Sequence, residues 1–199
     1  MNEPEEEAPP VEDELVGRAR AGDREALEQI FNTYRHQVFS LAYRMTGSAS
    51  DAEDLTQEVF LQVMRKIGSF EGRSSFSTWL YRVTVNRSRD YLRSRKRHPE
   101  LLSQDGEQAE PRDDLFPVVV APSPEGQAMA SEARRLVQEA LCDLPVSLRA
   151  PLVLHELQGL EYREVARMLR LPVGTVKSRI FRGRVKLAEL LEPHKEQWR

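Results

Sequence analysis

The sequence lacks the features that mark secreted and membrane-spanning proteins. It has a single cysteine, Cys142, which excludes an internal disulfide and indicates a reducing compartment. No apolar run approaches the length that spans a bilayer, and residues 3–14 carry acids and no base where a signal peptide would be basic. We therefore expect a cytoplasmic protein that does not insert into a membrane.

Motifs for catalysis are also absent from the sequence. It contains no glycine-rich phosphate loop, no GxSxG elbow and no CxxC pair. His155 and Glu156 begin like the helix of a zinc protease, but Gly159 stands where that motif needs its second histidine. The four histidines are too far apart along the chain to suggest a metal site. We expect no catalytic residue, no metal and no cofactor.

Charge is arranged in blocks, although the formal net charge is only −3. Residues 3–14 and 99–125 are acidic, whereas bases collect in residues 82–97 and 163–186. A basic binding surface can occur on a chain whose pI lies below neutral, so the local pattern matters more than the total. The two basic blocks are therefore candidates for contact with a polyanion.

The spacing of apolar residues predicts an all-α protein. Leucine, alanine, arginine and glutamate are abundant, and apolar residues recur at i, i+3 and i+4. Two segments are rich in prolines and acids and show neither helical nor strand periodicity. We expect them to be a disordered tail and a flexible linker. The prediction is two small helical domains joined by a flexible acidic linker, the second containing a helix-turn-helix. Its parts are a tail at 1–12, a first domain at 13–98, a linker at 99–127 and a second domain at 128–199.

Capping signals place the helices of the first domain. Asp23 is expected to cap a long helix that ends at Gly47. Ser50 and Glu53 predict a capping box for the next helix, and Gly68 predicts its end.

The helix that begins after Gly47 carries an unusual mixture of side chains. Asp54, Gln57 and Glu58 crowd its first turns, beside Phe60 and Met64, which we expect to be partly exposed. The acids could simply complement the helix dipole and improve solubility. On sequence alone that explanation is favoured, although a mixed acidic and apolar face is also suited to docking a basic partner helix.

Residues 70–97 combine aromatic side chains with a dense run of arginines. Phe70, Phe76 and Trp79 lie close together, and bases far outnumber acids in the rest of the segment. Apolar residues at helical spacing predict that one face packs on protein, which leaves an arginine-rich face outside. An ordinary aromatic core with a solvated basic face is one interpretation. Rings beside a basic groove are also suited to holding unpaired bases.

Residues 161–191 have the pattern of a helix-turn-helix. A short helix at 161–169 is followed by a break at 170–172 and a longer helix at 173–191 whose outward face is basic. A recognition helix inserts its N-terminal half into the major groove, where arginine bonds guanine through two hydrogen bonds. A solvated basic helix in a bundle is the alternative, but the turn and the basic face together favour DNA binding.

These segments resemble the extracytoplasmic-function (ECF) sigma factors, a compact group within the bacterial sigma-70 family. The likeness is carried by FEGRSSFSTWLYRVTVN in the aromatic segment, by VGTVKSRIFRGR in the last helix, and by their order and spacing. It covers about residues 13–191 and implies a non-enzymatic subunit that makes RNA polymerase promoter-specific.

The resemblance implies that the first domain reads and melts the −10 promoter element. An unpaired base of the non-template strand is expected in a pocket made by Phe70 and Asn86, with Phe76 and Trp79 as its support. The basic residues expected to contact −10 DNA are Arg73, Arg82, Arg87 and Arg93.

The resemblance also implies roles for two other helices. The acidic helix is expected to dock on the clamp helices of the largest subunit of core RNA polymerase through Asp54, Gln57, Glu58 and Phe60, and the flap of the second subunit is a further expected contact. The last helix is expected to read −35 DNA. Its expected base contacts are Lys177, Ser178, Phe181 and Arg182, and its expected phosphate contacts are Thr175 and Arg179. Members of the family are commonly held inactive by an anti-sigma factor.

Two other functions are alternatives to promoter recognition with RNA polymerase. A stand-alone helix-turn-helix regulator would explain residues 160–190 but leaves the aromatic segment and the acidic helix without a role. A helical-bundle enzyme or scaffold lacks any set of catalytic residues.

Overall fold

The computed structural model describes residues 10–97 and 124–198, and these contain eight α-helices and no strand. The all-α prediction is confirmed. Short 3-10 turns at Ile67–Ser69 and Glu192–Trp198 follow the third and eighth helices. The helices are α1 (Pro10–Arg20), α2 (Arg24–Thr46), α3 (Ala49–Lys66), α4 (Phe76–Arg97), α5 (Pro124–Asp143), α6 (Val146–Glu156), α7 (Tyr162–Leu169) and α8 (Val173–Leu191). We call α1–α4 the first unit and α5–α8 the second unit.

Two prolines begin helices that start earlier than predicted. α1 starts at Pro10 and α5 starts at Pro124, whereas the sequence indicated starts near residues 13 and 128. Proline suits the first turn of a helix, because its fixed φ is already helical and the N–H it lacks would have no partner there. The rest of the predicted tail and the rest of the predicted linker lie outside the described residues.

The predicted ends of α2 are confirmed. The side chain of Asp23 accepts hydrogen bonds from the backbone N–H groups of Glu25 (2.9 Å) and Ala26 (3.2 Å). Gly47 ends the helix in the left-handed region at φ 81°, and its N–H donates to the carbonyl of Tyr43 at 2.8 Å. Glycine adopts this conformation without steric cost, so α2 stops there and the chain turns into α3.

The predicted cap of α3 is wrong by two residues. Ser48, not Ser50, is the N-cap, and its hydroxyl accepts from the N–H of Asp51 at 3.2 Å. The reason is that Ser48 has the extended backbone of a cap, whereas Ser50 already lies in the first helical turn. At the other end α3 stops at Lys66, and Gly68 lies within the 3-10 turn that follows.

The core of the first unit forms where α3 and α4 pack against α2. Ile30 and Val38 from α2, Val59 from α3 and Leu80 from α4 are fully buried in it. The inward residues predicted for α3 are all buried, namely Ala52, Leu55, Val59, Val63 and Ile67. This packing gives α4 a buried face, so its arginines are directed to the other side.

The helix-turn-helix of the second unit is confirmed. α7 begins with a capping box between Glu161 and Glu164 and ends at Arg170, which adopts the left-handed region at φ 55°. Val165 of α7 and Ile180 of α8 are buried between the two helices, as predicted. The left-handed residue reverses the chain within a few residues, and this sets α8 across α7.

The two units share an apolar interface. Leu41 and Met45 of α2 and Val85 of α4 belong to the same cluster as the core of the second unit, and all three are fully buried. The two units therefore pack directly against each other. Within residues 10–97 and 124–198, no helix combines the length and apolar character needed to cross a membrane.

Candidate nucleic-acid interface

Three aromatic rings form a cluster where the 3-10 turn leads into α4. The ring centroids of Phe70 and Phe76 lie 5.8 Å apart at 90°, and Trp79 lies 5.6 Å from both. These edge-to-face and tilted arrangements are favourable for aromatic pairs. Phe70 is 8% exposed, so the cluster is mainly core and only a small part of the Phe70 ring is accessible.

Short-range hydrogen bonds hold the loop that carries Phe70. The N–H of Phe70 donates to the carbonyl of Ile67 at 3.0 Å, and this bond closes the 3-10 turn. The hydroxyl of Ser75 accepts from the N–H of Thr78 at 3.2 Å and caps α4. Phe70 is thereby fixed against the cluster, while residues 71–73 remain on the surface.

A cleft of about 580 Å³ lies along this aromatic cluster. Guanidinium groups suit backbone phosphates and an aromatic wall suits a stacked base, so such a cleft can hold single-stranded nucleic acid. On the other side the cleft is closed by Glu164, Arg167 and Met168 of α7. The predicted −10 residues that line it are Phe70, Arg73, Trp79 and Arg82.

The predicted −10 residues farther along α4 differ in their surroundings. Asn86 and Arg93 are exposed on the helix face that continues from Arg82. Arg87 instead forms an ion pair with Glu58 of α3. The structure thus pairs a residue predicted to contact DNA with one predicted to contact polymerase, and both roles stay predictions.

The C-terminal half of α4 is anchored to the start of α3. Arg95 forms an ion pair with Asp51, and its guanidinium carbon lies 5.9 Å from the ring centroid of Tyr91. Burial, together with the Asp51 carboxylate, raises the pKa of Tyr91 to about 12, so this phenol stays neutral at physiological pH. The anchor fixes the direction of α4 and therefore the direction of its basic face.

Helix α8 presents most of its predicted residues to solvent. Phe181 is 66% exposed, which is a large apolar surface for a ring flanked by cations. Thr175 and Arg179 are half-buried at the side of the helix. Of the residues predicted to contact −35 DNA, the exposed ones are Lys177, Ser178, Phe181 and Arg182.

Local contacts orient the cations of α8. The Nε of Arg182 donates to the carbonyl of Ser178 at 3.3 Å, and the Nζ of Lys177 lies 5.5 Å from the ring centroid of Tyr162 in α7. Arg184 is paired with Glu156 and is held towards α6. The exposed part of α8 is therefore a narrow basic strip with Phe181 in it.

The acidic face of α3 differs from its prediction at one residue. Asp54, Gln57 and Glu58 are exposed as expected, but Phe60 is only 6% exposed because its ring packs edge-on against Phe31 at 4.9 Å. The expectation that Phe60 is partly exposed is therefore wrong.

Leu61 is the exposed apolar residue on that face that sequence reasoning missed. It is 52% exposed, and Met64 one turn farther along is 59% exposed, as predicted. Leu61 follows Asp54 by seven residues and Gln57 by four, which places all three on one side of the helix. That spacing is the feature of the sequence that could have identified Leu61 as part of this face.

The described residues contain no group of three or more His, Cys, Asp or Glu side chains that could hold a metal ion. What they offer is a basic cleft with an aromatic wall, a basic strip on a recognition helix, and an acidic and apolar strip on α3. These surfaces are suited to binding nucleic acid and protein.

Two segments of the chain match models of one protein family. The model described as Sigma-70 region 2 matches residues 30–98, and the model described as Sigma-70, region 4 matches residues 134–187. The first match includes the aromatic cluster and the acidic face of α3. The second includes the helix-turn-helix.

Named relatives agree with the match to the Sigma-70 models. The ECF RNA polymerase sigma-E factor of Escherichia coli (strain K12) is 37% identical over 179 residues, which cover 90% of this chain and 93% of the relative. The RNA polymerase sigma-H factor of Pseudomonas aeruginosa is 36% identical over 180 residues, with coverages of 90% and 93%.

The fold also recurs in two solved structures. The sigma factor RpoE in complex with the anti-sigma factor NepR from Bartonella quintana is similar at a TM-score of 0.62 and 25% identity, covering 83% of this chain and 96% of that one. CnrH in complex with the cytosolic domain of CnrY has the same fold, at a TM-score of 0.64 and 24% identity over 92% of this chain and 97% of that one. The chain therefore belongs to the ECF group of RNA polymerase sigma factors.

Proposed function

We propose that this sigma factor binds core RNA polymerase and directs it to promoters whose −10 element is opened by the first unit and whose −35 element is read by the second. The observation that carries this division is that the two basic surfaces are built differently. The α4 surface is a cleft with an aromatic wall, whereas the α8 surface is a convex strip. The chain acts as a specificity subunit rather than an enzyme, in the cytoplasm.

At the −10 element, the aromatic wall would hold one base outside the duplex. Unstacking a base costs a few kcal/mol, and stacking on an aromatic side chain returns about 1–3 kcal/mol. Phe70 and Trp79 line the cleft, and Phe76 packs against both rings. Arg73 is paired at 2.6 Å with the exposed Glu71, a weak surface pair that a phosphate can replace.

At the −35 element, the N-terminal half of α8 would enter the major groove. Arg182 can bond a guanine through two hydrogen bonds, and Phe181 can contact a thymine methyl group. Lys177 and Ser178 lie one turn earlier on the same exposed strip. Thr175 and Arg179, at the side of the helix, would contact phosphates.

The acidic strip of α3 would dock on the clamp helices of the polymerase. Asp54 and Glu58 offer negative charge for a basic partner, Gln57 offers a hydrogen-bonding amide, and Leu61 and Met64 offer apolar area that would be covered on binding. A further contact of the second unit with the flap of the second polymerase subunit completes the proposal.

An anti-sigma factor is the proposed regulatory partner. The sigma factor RpoE, which has a similar fold, has been solved in complex with the anti-sigma factor NepR, and CnrH, which shares the fold, has been solved with the cytosolic domain of CnrY. A partner that covers the α3 strip or the α8 strip would block polymerase or promoter binding directly.

A gel-shift experiment with and without core polymerase tests the proposal. We expect the free protein to bind fragmented genomic DNA of its own organism poorly, and the complex with polymerase to select promoter fragments. Tight, site-specific binding by the free protein, unchanged when polymerase is added, would instead support a stand-alone regulator.

A further inference from the structure

The second unit has an open apolar groove between α5, α6 and α8. Its volume is about 440 Å³. Leu157 at its edge is 45% exposed, and the described part of the chain leaves three more of its residues only half-buried. An apolar groove that remains open to solvent is typical of a binding site. The apolar residues that line it include Val137, Leu141, Leu152, Leu157, Leu187 and Leu191.

The charged side chains at the groove neutralise each other. Glu156 and Arg184 are the charged residues that line it, and the Nε of Arg184 donates to the Glu156 carboxylate at 2.7 Å. With this pair satisfied, the lining residues offer no unpaired charge to attract a nucleic acid or a charged ligand. The occupant that fits the groove is therefore apolar.

An apolar run lies in the connection between the two units. Residues 115–120 read LFPVVV within the predicted acidic linker, and they lie outside the described residues. A segment that only joined two domains would need no such run, because polar residues are sufficient to keep a connection solvated. The run is therefore a candidate for burial against the protein.

The run is close enough along the chain to reach the groove. α5 begins at Pro124, and Val137 and Leu141 follow it by 13 and 17 residues, or about 20 and 26 Å at about 1.5 Å per residue. Val118 and Phe116 precede Pro124 by six and eight residues, which can span about 20 and 26 Å at about 3.3 Å per residue. Folded back alongside α5, these two residues would come level with the two groove residues of that helix.

Charge favours this groove over another exposed apolar surface, the strip on α3. Asp113 and Asp114 immediately precede the apolar run. The α3 strip carries Asp54 and Glu58 beside Leu61, so a run docked there would bring like charges together. The groove has no unpaired acid among its lining residues and avoids this repulsion.

We propose that the apolar run at residues 115–120 docks in the groove between α5, α6 and α8 of the same chain. The connection to α5 is short, so the run is present at the groove at an effective concentration on the order of 1 mM. At that concentration a dissociation constant as weak as about 0.2 mM leaves the groove open about one-sixth of the time. A protein partner that uses the groove must displace the run, so its apparent affinity is about sixfold weaker. The docking does not depend on the roles proposed for the DNA surfaces.

Thiol labelling of the groove tests the docking in the full-length chain. Leu157→Cys places a thiol at the exposed edge of the groove. Val185→Cys is the matched control, because Val185 is also 45% exposed on the second unit but does not line the groove. Wild-type protein gives the background from Cys142. Phe116→Asp puts a charge into the run that an apolar groove disfavours, and Ser103→Asp adds the same charge elsewhere in the linker.

We expect Phe116→Asp to speed maleimide labelling of the Leu157→Cys thiol by about sixfold, whereas Ser103→Asp leaves the rate unchanged and neither substitution alters labelling of Val185→Cys. Equal labelling of the Leu157→Cys thiol with and without Phe116→Asp would overturn the proposal. So would an equal change in both thiols, which would indicate an effect on the fold in general. Protection that rises with protein concentration would assign the groove to a second copy of the chain instead.

A disulfide measurement gives a second readout of the same docking. Val118→Cys combined with Leu157→Cys should cross-link under mild oxidation, and Val118→Cys combined with Val185→Cys should cross-link several-fold more slowly. The reactions are run near neutral pH, because burial raises the pKa of the Cys142 thiol and makes it a poor nucleophile there. Equal cross-linking rates for the two pairs would contradict the docking. Neither experiment uses polymerase or promoter DNA, so a negative result leaves the proposed function standing.

Discussion

Replacing Phe70 by leucine tests whether the aromatic wall of the α4 cleft holds an unpaired base. Alanine would be a poorer choice, because it would leave a cavity beside Phe76 and Trp79 and cost about 3–5 kcal/mol of stability. Leucine keeps most of the buried volume but has no flat ring on which a base can stack. We expect the variant to bind duplex promoter DNA normally with polymerase and to open it poorly.

The size of the effect follows from the stacking energy. A ring contributes about 1–3 kcal/mol per stacked base, so the equilibrium for strand opening should fall by about 5- to 150-fold. Phe39→Leu is the matched control. Phe39 is also 8% exposed and is stacked on Tyr43 at 6.3 Å, but it does not line the cleft.

Permanganate reactivity of thymines in the non-template strand measures opening directly, with thermal unfolding of each variant measured alongside. Reactivity should drop for Phe70→Leu and persist for Phe39→Leu at similar stability. Wild-type reactivity in Phe70→Leu would refute the stacking role. An equal loss in both variants would show that general packing, not the cleft, controls opening.

Three further predictions concern the other surfaces and the fold. Arg182→Ala should relax the preference at one −35 base pair by about 1–3 kcal/mol, whereas Arg184→Ala, whose side chain is paired with α6, should not; a set of single-base promoter variants measures both. Asp54→Lys should weaken binding to core polymerase by about 1–3 kcal/mol through like-charge contact, while Glu14→Lys, the same charge change at an exposed acid on α1, should have a much smaller effect in the same titration. Asp23→Ala should lower the melting temperature by removing the cap of α2. A hydrogen-bonded arginine lowers the pKa of Asp23, so the charged cap stabilises the folded protein above the ordinary pKa of the carboxyl group. The difference in melting temperature between the two proteins should therefore vanish as the pH falls through the lowered pKa.

Local signals account for most of the helices that could be predicted. Asp23 and Gly47 act through hydrogen bonds and backbone conformations within a few residues of their own position. The break at 170–172 likewise depends on Arg170 and the residues next to it. Such features can be predicted from a short window of sequence, because their physical cause lies inside that window.

The errors at α3 show that a small shift in helix phase changes which residue caps the helix and which side chains are buried. Ser48 and Ser50 are both good caps by composition, and only the position at which α2 ends decides between them. Phe60 and Leu61 differ by about 100° around the helix, so one packs against Phe31 and the other faces solvent. The apolar content of the sequence does not by itself resolve that angle.

The contact that Arg149 makes between the two units could not have been predicted from the spacing of residues in the sequence. Arg149 is a single arginine in an apolar helix, and its partner Met45 is 104 residues away. Its acceptors are backbone carbonyls, which every residue has, so no complementary side chain marks the pair in the sequence. Long-range contacts of this kind depend on how the helices pack in three dimensions.

Run-off transcription on a randomised promoter library with purified core polymerase tests whether the two surfaces divide the promoter between them. We expect the transcribed promoters to share two sequence blocks at a fixed separation, one read as duplex by α8 and one opened beside Phe70. A single block, or no transcription beyond that of core polymerase alone, would contradict it.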